Sequence, residues 1–167
     1  AAALRPADRR MTASTLPLFP LNSVLLPGAW LDLRIFETRY LDLVRDCSRS
    51  GSGFGVVLIR DGAEAGVPAD IHDFGCEARI IDFNTLPDGL LGIRVEGARR
   101  FRAIDSRVEP NGLRVADVDW SAPASVTSVP AEYAVLVTIL ERLAEHGDSQ
   151  LKAADKAKFD DADWVSW

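Results

Sequence analysis

The sequence predicts an α+β protein: a set of mostly antiparallel strands forming a barrel or sandwich, then a smaller helical part. Three observations lead there. Strand-like stretches at 71–83, 89–97, 99–109 and 113–120 follow one another at near-regular spacing, as in antiparallel barrels and sandwiches. Turn signals separate them: Pro87-Asp88-Gly89, Gly97-Ala98 and Pro110-Asn111-Gly112, of which Asn-Gly is the strongest hairpin signal. After the Pro/Ser/Ala-rich stretch SAPASVTSVP (121–130) the apolar period changes from two to nearly four.

The elements follow in chain order. The segment AAALRPADRR is basic but has no apolar stretch behind it, so it does not read as a secretory signal. Met11 is a natural start, and residues 1–14 are expected to be a tail, disordered or added for expression. LPLFPLNSVLLPG (16–28) holds three prolines, which predicts a broken edge strand because proline cannot donate to a ladder. In AWLDLRI (29–35), Leu31, Leu33 and Ile35 alternate with Asp32 and Arg34. A helix over 37–49 follows directly, with Phe36, Tyr40, Val44 and Cys47 at helical spacing, and ends near the Gly/Ser loop SRSGSG. FGVVLI (54–59) is a continuous apolar run, which predicts a strand buried on both faces. RDGAEAGVPAD (60–70) is a polar loop leading into the antiparallel strands.

Past the linker, Ser128 fits an N-cap, Pro130 a first turn and Gly147 a stop. Tyr133, Val137, Leu140 and Leu143/Ala144 make one stripe between these signals. The closing DDADWVSW places Trp164 and Trp167 one helical turn apart, as if a further helix begins there.

Composition narrows the function. The 167 residues are 47% hydrophobic and 26% charged, ordinary for one globular domain or two small ones. The net charge of −6 opposes a general phosphate-backbone binder. No apolar run is long enough to span a bilayer as a helix. Cys47 and Cys76 lie in no CxxC pair and read as buried small hydrophobes in a reducing compartment rather than a disulfide.

The sequence has no GxxxxGK[ST] phosphate loop and no GxSxG elbow. The three lysines, 152, 156 and 158, share one polar stretch, where a Ser–Lys dyad would lack the dry pocket it needs. His72 and Cys76 would stand about 13 Å apart on a strand, too far to share a metal. No catalytic residue, cofactor or metal site is expected. ARRFR (98–102) is the best nucleic-acid candidate, with Arg100 and Arg102 on one strand face and Arg99 and Phe101 on the other. Residues 79–114 carry seven arginines against five acids, only +2, so a solvated face is the stronger reading.

Taken in order, LPLFPLNSVLLPG, RIFETRYLDLV, FGVVLI, FGCEARIIDFNTLPDGLLGIRVEGARRFR and NGL resemble the N-terminal, substrate-binding domain of Lon-type ATP-dependent proteases. The resemblance runs from about Leu16 to Trp167, and is greatest to free-standing bacterial proteins made of this domain alone. It implies a PUA-like, mostly antiparallel β-barrel with one covering helix over 15–121. A helical subdomain over 122–167 follows, stopping before its last helix is complete. Where the family often has E-P-R-Y, this chain has Thr38 in place of proline. The ATPase and Ser–Lys peptidase reside in other domains of those proteases. The resemblance therefore implies a cytoplasmic, non-catalytic module that recognises unfolded or extended polypeptide segments or a protein partner. The alternative is a PUA-like nucleic-acid or nucleotide binder. RIFETRY becomes a hinge between strand and helix, with Phe36 and Tyr40 packed beneath and Glu37 and Arg39 satisfying backbone or each other at the rim. The candidate partner contacts are Arg39, Arg99, Arg100, Trp164 and Trp167. A groove between barrel and helices, bordered by the two tryptophans, is the expected docking place.

Overall fold

A computed structural model describes residues 14–122 and 128–146. Its elements are β1 (Ser14–Leu21), β2 (Trp30–Ile35), α1 (Thr38–Ser50), β3 (Phe54–Asp61), β4 (Asp70–Thr85), β5 (Leu91–Val108), β6 (Arg114–Trp120), a 3₁₀ turn (Ala131–Tyr133) and α2 (Ala134–His146). One sheet runs β2-β5-β4-β3-β1-β6, and β5 also pairs with β6, so β5, β4, β3, β1 and β6 close into a ring. Every pairing is antiparallel except β1 with β3. The result is a mostly antiparallel α+β fold.

The length of β5 makes this closure possible. Residues 91–96 lie between β2 and β4, and residues 101–108 run against β6. Register shifts between Cys76 and Ala78 and between Ala103 and Asp105 bend the strand from one task to the other. The two stretches read separately in the sequence are therefore one strand. Gly97 marks a close crossing instead of a turn. The 26–29 segment passes over it, Gly28 N–H donating to Gly97 O at 2.7 Å and Gly97 N–H to Ala29 O at 2.9 Å. A Cβ at Gly97 would overlap the Leu26 carbonyl oxygen.

Nor is β1 an edge strand. It pairs with β6 over 14–18 and with β3 over 18–21. Each half has one flank without a ladder, and there Pro17 and Pro20 lose no hydrogen bond.

Apolar side chains collect in two cores. The first lies between α1 and the sheet and includes Phe19, Leu33, Ile35, Tyr40, Leu43, Val44, Phe54, Ile93 and Val95. Phe19 and Tyr40 stack with centroids 4.1 Å apart. Both cysteines are free and buried in this core. Burial pushes the Cys76 thiol up to about 12 and raises Cys47 in the same direction. The second core fills the ring with Leu16, Leu18, Val57, Ile71, Phe101, Ala103, Ala116 and Val118. Gly55 and Gly75 face the Phe101 ring; a Cβ on either would lie 2.6 or 2.5 Å from Cζ. Glycine is required there because the aromatic ring takes the space of two side chains.

The second helix begins later than its signals predict. Pro130 precedes the 3₁₀ turn, α2 starts at Ala134, and Ser128 forms an isolated bridge instead of an N-cap. Tyr133 is half exposed, while Val137 and Leu140 are partly buried.

Candidate functional site

The strand-to-helix corner at RIFETRY is built around an ion pair. Ile35 ends β2 in the core, and the chain turns at Phe36 and Glu37 into α1. Glu37 is the N-cap residue of α1, but its carboxylate does not cap the helix. It meets Arg39 Nη2 at 3.0 Å and accepts from Gly66 N–H at 3.4 Å. Arg39 is only 7% exposed, donates from Nη1 to the Gly112 carbonyl at 3.0 Å and lies over the Tyr40 ring. One arginine thus fastens the β5–β6 turn to the start of α1. Burial raises the Tyr40 hydroxyl above its ordinary range. Tyr40 packs inward as the helical spacing predicts. Phe36 does not: it is 54% exposed, because the corner turns its side chain outward before the first helical turn begins.

Phe36, Glu37, Thr38, Arg39, Gly66, Pro68, Asn111 and Gly112 line a shallow, open depression of about 460 Å³. Val67, 83% exposed, stands beside it on the 62–68 loop. That loop is held at two points, by Glu37 at Gly66 and by Glu64, whose carboxylate accepts from Asn22 N–H at 2.7 Å. Exposed apolar side chains on a held backbone thus lie beside a part-buried ion pair.

The arginine candidates on β5 have a different setting. Arg99 points outward, not inward with Phe101, because the strand is irregular beside Gly97. Its Nε donates to the buried Glu77 carboxylate at 3.0 Å, and its guanidinium lies 4.0 Å from the Trp120 ring centroid. Arg79 reaches the same carboxylate at 3.8 Å. Arg100 sits opposite Cys76 and is half-buried. Arg102 stands over Phe74. Arg39 is buried at the start of α1 and Arg99 is exposed on β5 beside Trp120, each engaged by a different carboxylate. Trp164 and Trp167, and with them the expected groove between barrel and helices, lie outside the described residues.

A further surface was not singled out by sequence reasoning. Among the described residues, the far end of the sheet consists of β2, β5 and β4 only. β3 covers β4 as far as Ala78, opposite Phe54, while β4 continues to Thr85 with β5 on its other side. The strand therefore overhangs its neighbour by seven residues. Ile81 and Phe83 on this overhang are 46% and 51% exposed. The only signal for it was length: IHDFGCEARIIDFNT is much longer than FGVVLI, and two paired strands of unequal length must leave an overhang. The opposite surface of the same end is polar. Arg94 binds Asp32 bidentately, at 2.7 and 2.9 Å, and Arg34 pairs with Asp88.

The fold and these surfaces define a small α+β barrel domain with a helix-covered sheet and exposed apolar margins. Comparison with known proteins places it further. The model of the ATP-dependent protease La (LON) substrate-binding domain matches residues 15–164, and the chain belongs to that family. It is similar to the crystal structure of a Lon N-terminal domain protein from Xanthomonas campestris, at 48% identity and a TM-score of 0.70. That match covers 92% of this chain and 79% of the other. The N-terminal domain of Mycobacterium avium complex Lon protease shares the fold, with a TM-score of 0.55 at 17% identity over 78% of this chain and 65% of that one. Among curated relatives, Lon protease of Flavobacterium johnsoniae is 28% identical over 132 residues, 78% of this chain but 16% of the relative. Lon protease 2 of Myxococcus xanthus is 33% identical over 92 residues, 54% of this chain and 11% of the relative. The chain thus spans less than a fifth of the length of these relatives. No helix among the described residues is long and apolar enough to cross a membrane.

Proposed function

We propose that this chain is a non-catalytic module that binds extended or unfolded polypeptide segments. The observation that carries this reading is the match to a substrate-binding domain over 15–164, since the substrates of a protease are polypeptides. The exposed Phe36 and Val67 and the half-buried Pro68 around the Arg39 corner support it, as does the apolar overhang of β4. Two buried thiols left unpaired accord with a cytoplasmic setting. Affinity for a single segment is roughly micromolar, about 8 kcal/mol, because ordering a floppy chain opposes binding.

The test is a calorimetric or NMR titration with an apolar-rich unfolded peptide, beside a turnover assay with ATP and casein. Saturable binding without turnover is expected. Turnover that survives repurification and scales with protein concentration would overturn the non-catalytic part. The nucleic-acid alternative has less support, because Glu77 already occupies Arg99 and Arg79. RNA binding at physiological salt is expected to be weak by fluorescence anisotropy, and sub-micromolar affinity would restore that alternative.

A further inference from the structure

Resting on the polypeptide-binding reading, we propose that the overhang of β4 takes an extended polypeptide segment as an added strand. The segment would hydrogen-bond along the overhang Arg79–Thr85, whose register against β5 shifts between Ile80 and Asp82, and lay apolar side chains on Ile81 and Phe83. β5 occupies one flank of this stretch throughout, but among the described residues β3 pairs with the other flank only as far as Ala78. All seven residues from Arg79 to Thr85 are exposed or only partly buried, so no loop or helix among the described residues covers that flank. An open edge offers backbone donors and acceptors that natural sheets usually blunt. Proline and lysine, common blunting residues, do not occur in RIIDFNT, and the one irregularity is a register shift against β5 between Ile80 and Asp82. One backbone donor is met from within: Phe83 N–H donates to the Asp82 carboxylate at 2.8 Å. That oxygen supplies the acceptor that a neighbouring strand's carbonyl would otherwise provide.

The dimensions favour a short linear segment. Seven residues of strand span roughly 23 Å, enough for an added peptide strand. A pairing of two such overhangs would bury far less than the ~1,200 Å² of a stable dimer interface. Charge points the same way, because Arg79 and Asp82 are the only ionisable residues on the overhang and they cancel. The fitting ligand is therefore an uncharged, apolar-rich extended stretch, bound by its main chain and by side chains against Ile81 and Phe83.

The probe is a capped peptide of about twelve residues alternating Val or Phe with Ser or Thr. It is titrated into the full chain with backbone amides followed by NMR. Shifts and slowed exchange confined to Arg79–Thr85 are expected. A peptide N-methylated at alternate residues, which keeps the side chains but loses the donors, should bind at least about tenfold more weakly. Ile81→Lys/Phe83→Lys, its fold checked by circular dichroism, should weaken the parent peptide similarly. Binding with shifts only around Phe36 and Gly66, or affinity indifferent to N-methylation, would overturn strand addition and leave the polypeptide-binding reading standing. No shifts at millimolar peptide would overturn both. Shifts at Arg79–Thr85 that grow with protein concentration and without peptide would assign the edge to a second copy and also overturn the proposal.

Discussion

Phe101 and Phe83 lie on paired strands of one sheet, yet Phe101 is wholly buried and Phe83 half exposed. The difference is one of closure. At the ring end every strand has neighbours on both sides, and the interior is sealed by the strands themselves, with glycines admitting the aromatic ring. At the sheet end there are only three strands. They need α1 to cover one face, and β4 still runs past its partner. A closed ring is limited by packing and has no tolerance for volume. An open sheet end is limited by what covers it, which leaves surface for another chain.

The largest expected effects test the closed end. Phe101→Ala should cost about 3–5 kcal/mol in a denaturant melt, because the ring fills a site that cannot collapse around it. Gly55→Ala and Gly75→Ala should each destabilise by roughly 1–3 kcal/mol through overpacking. Combining them with Phe101→Leu separates the two. The three atoms nearest a Cβ on Gly55 are side-chain ends, of Phe101, Leu18 and Leu16, so the double variant should recover in part. A Cβ on Gly75 also lies 2.5 Å from the Val56 carbonyl oxygen, and it should not recover. Equal rescue would show that the ring is softer than its contacts imply.

Next in size is a pH effect in the helix-covered core. The folded Cys76 thiol, at about 12, stands above the unfolded value of 9.0. The folded state holds that proton more tightly, so its contribution is complete below the unfolded value and is lost as pH rises toward the folded one. Stability should fall over that interval by up to about 1.4 kcal/mol per pH unit. Urea melts on either side of the unfolded value should show the loss, and Cys76→Ala should flatten the slope. Burial of Tyr40 acts in the same direction at higher pH, so Tyr40→Phe separates the two groups.

A smaller effect is expected at the corner joining the two ends. Arg39→Met keeps the buried stem but leaves the Glu37 carboxylate and the Gly112 carbonyl without their donor. The expected cost is about 1–3 kcal/mol, read from the thermal midpoint. Hydrogen exchange should quicken at Gly66 and Gly112 if the corner loosens as a unit. The smallest effect belongs to the exposed sheet end, where Arg94 holds the Asp32 carboxyl below its ordinary range. That contribution is present above the unfolded carboxylate value and lost as pH falls through the folded one. Asp32→Asn should remove this acid dependence with little change in the melt at neutral pH.

Much of the fold was legible because it rests on local pattern. Alternation in WLDLRI, helical spacing from Tyr40 to Cys47 and the apolar run FGVVLI fixed which segments are strands and which is the helix, and the Asn111-Gly112 turn set the β5–β6 hairpin. The paired setting of Glu37 and Arg39 was implied by the resemblance of RIFETRY to the Lon N-terminal domain. The exposure of Phe36 did not, since one residue of backbone turn reverses the direction of a side chain.

What the sequence by itself determined is the identity of the elements and the antiparallel order after residue 70, because these depend on residue type and spacing. Only the tertiary structure decided that Gly97 is a crossing point, that β1 is an inner strand despite its prolines, and that Arg99 is tied to Glu77. It also decided where β4 outruns β3. Each of these depends on which distant segment lies alongside, and a chain's pattern records what its own side chains prefer, not which neighbour will come to lie against its backbone.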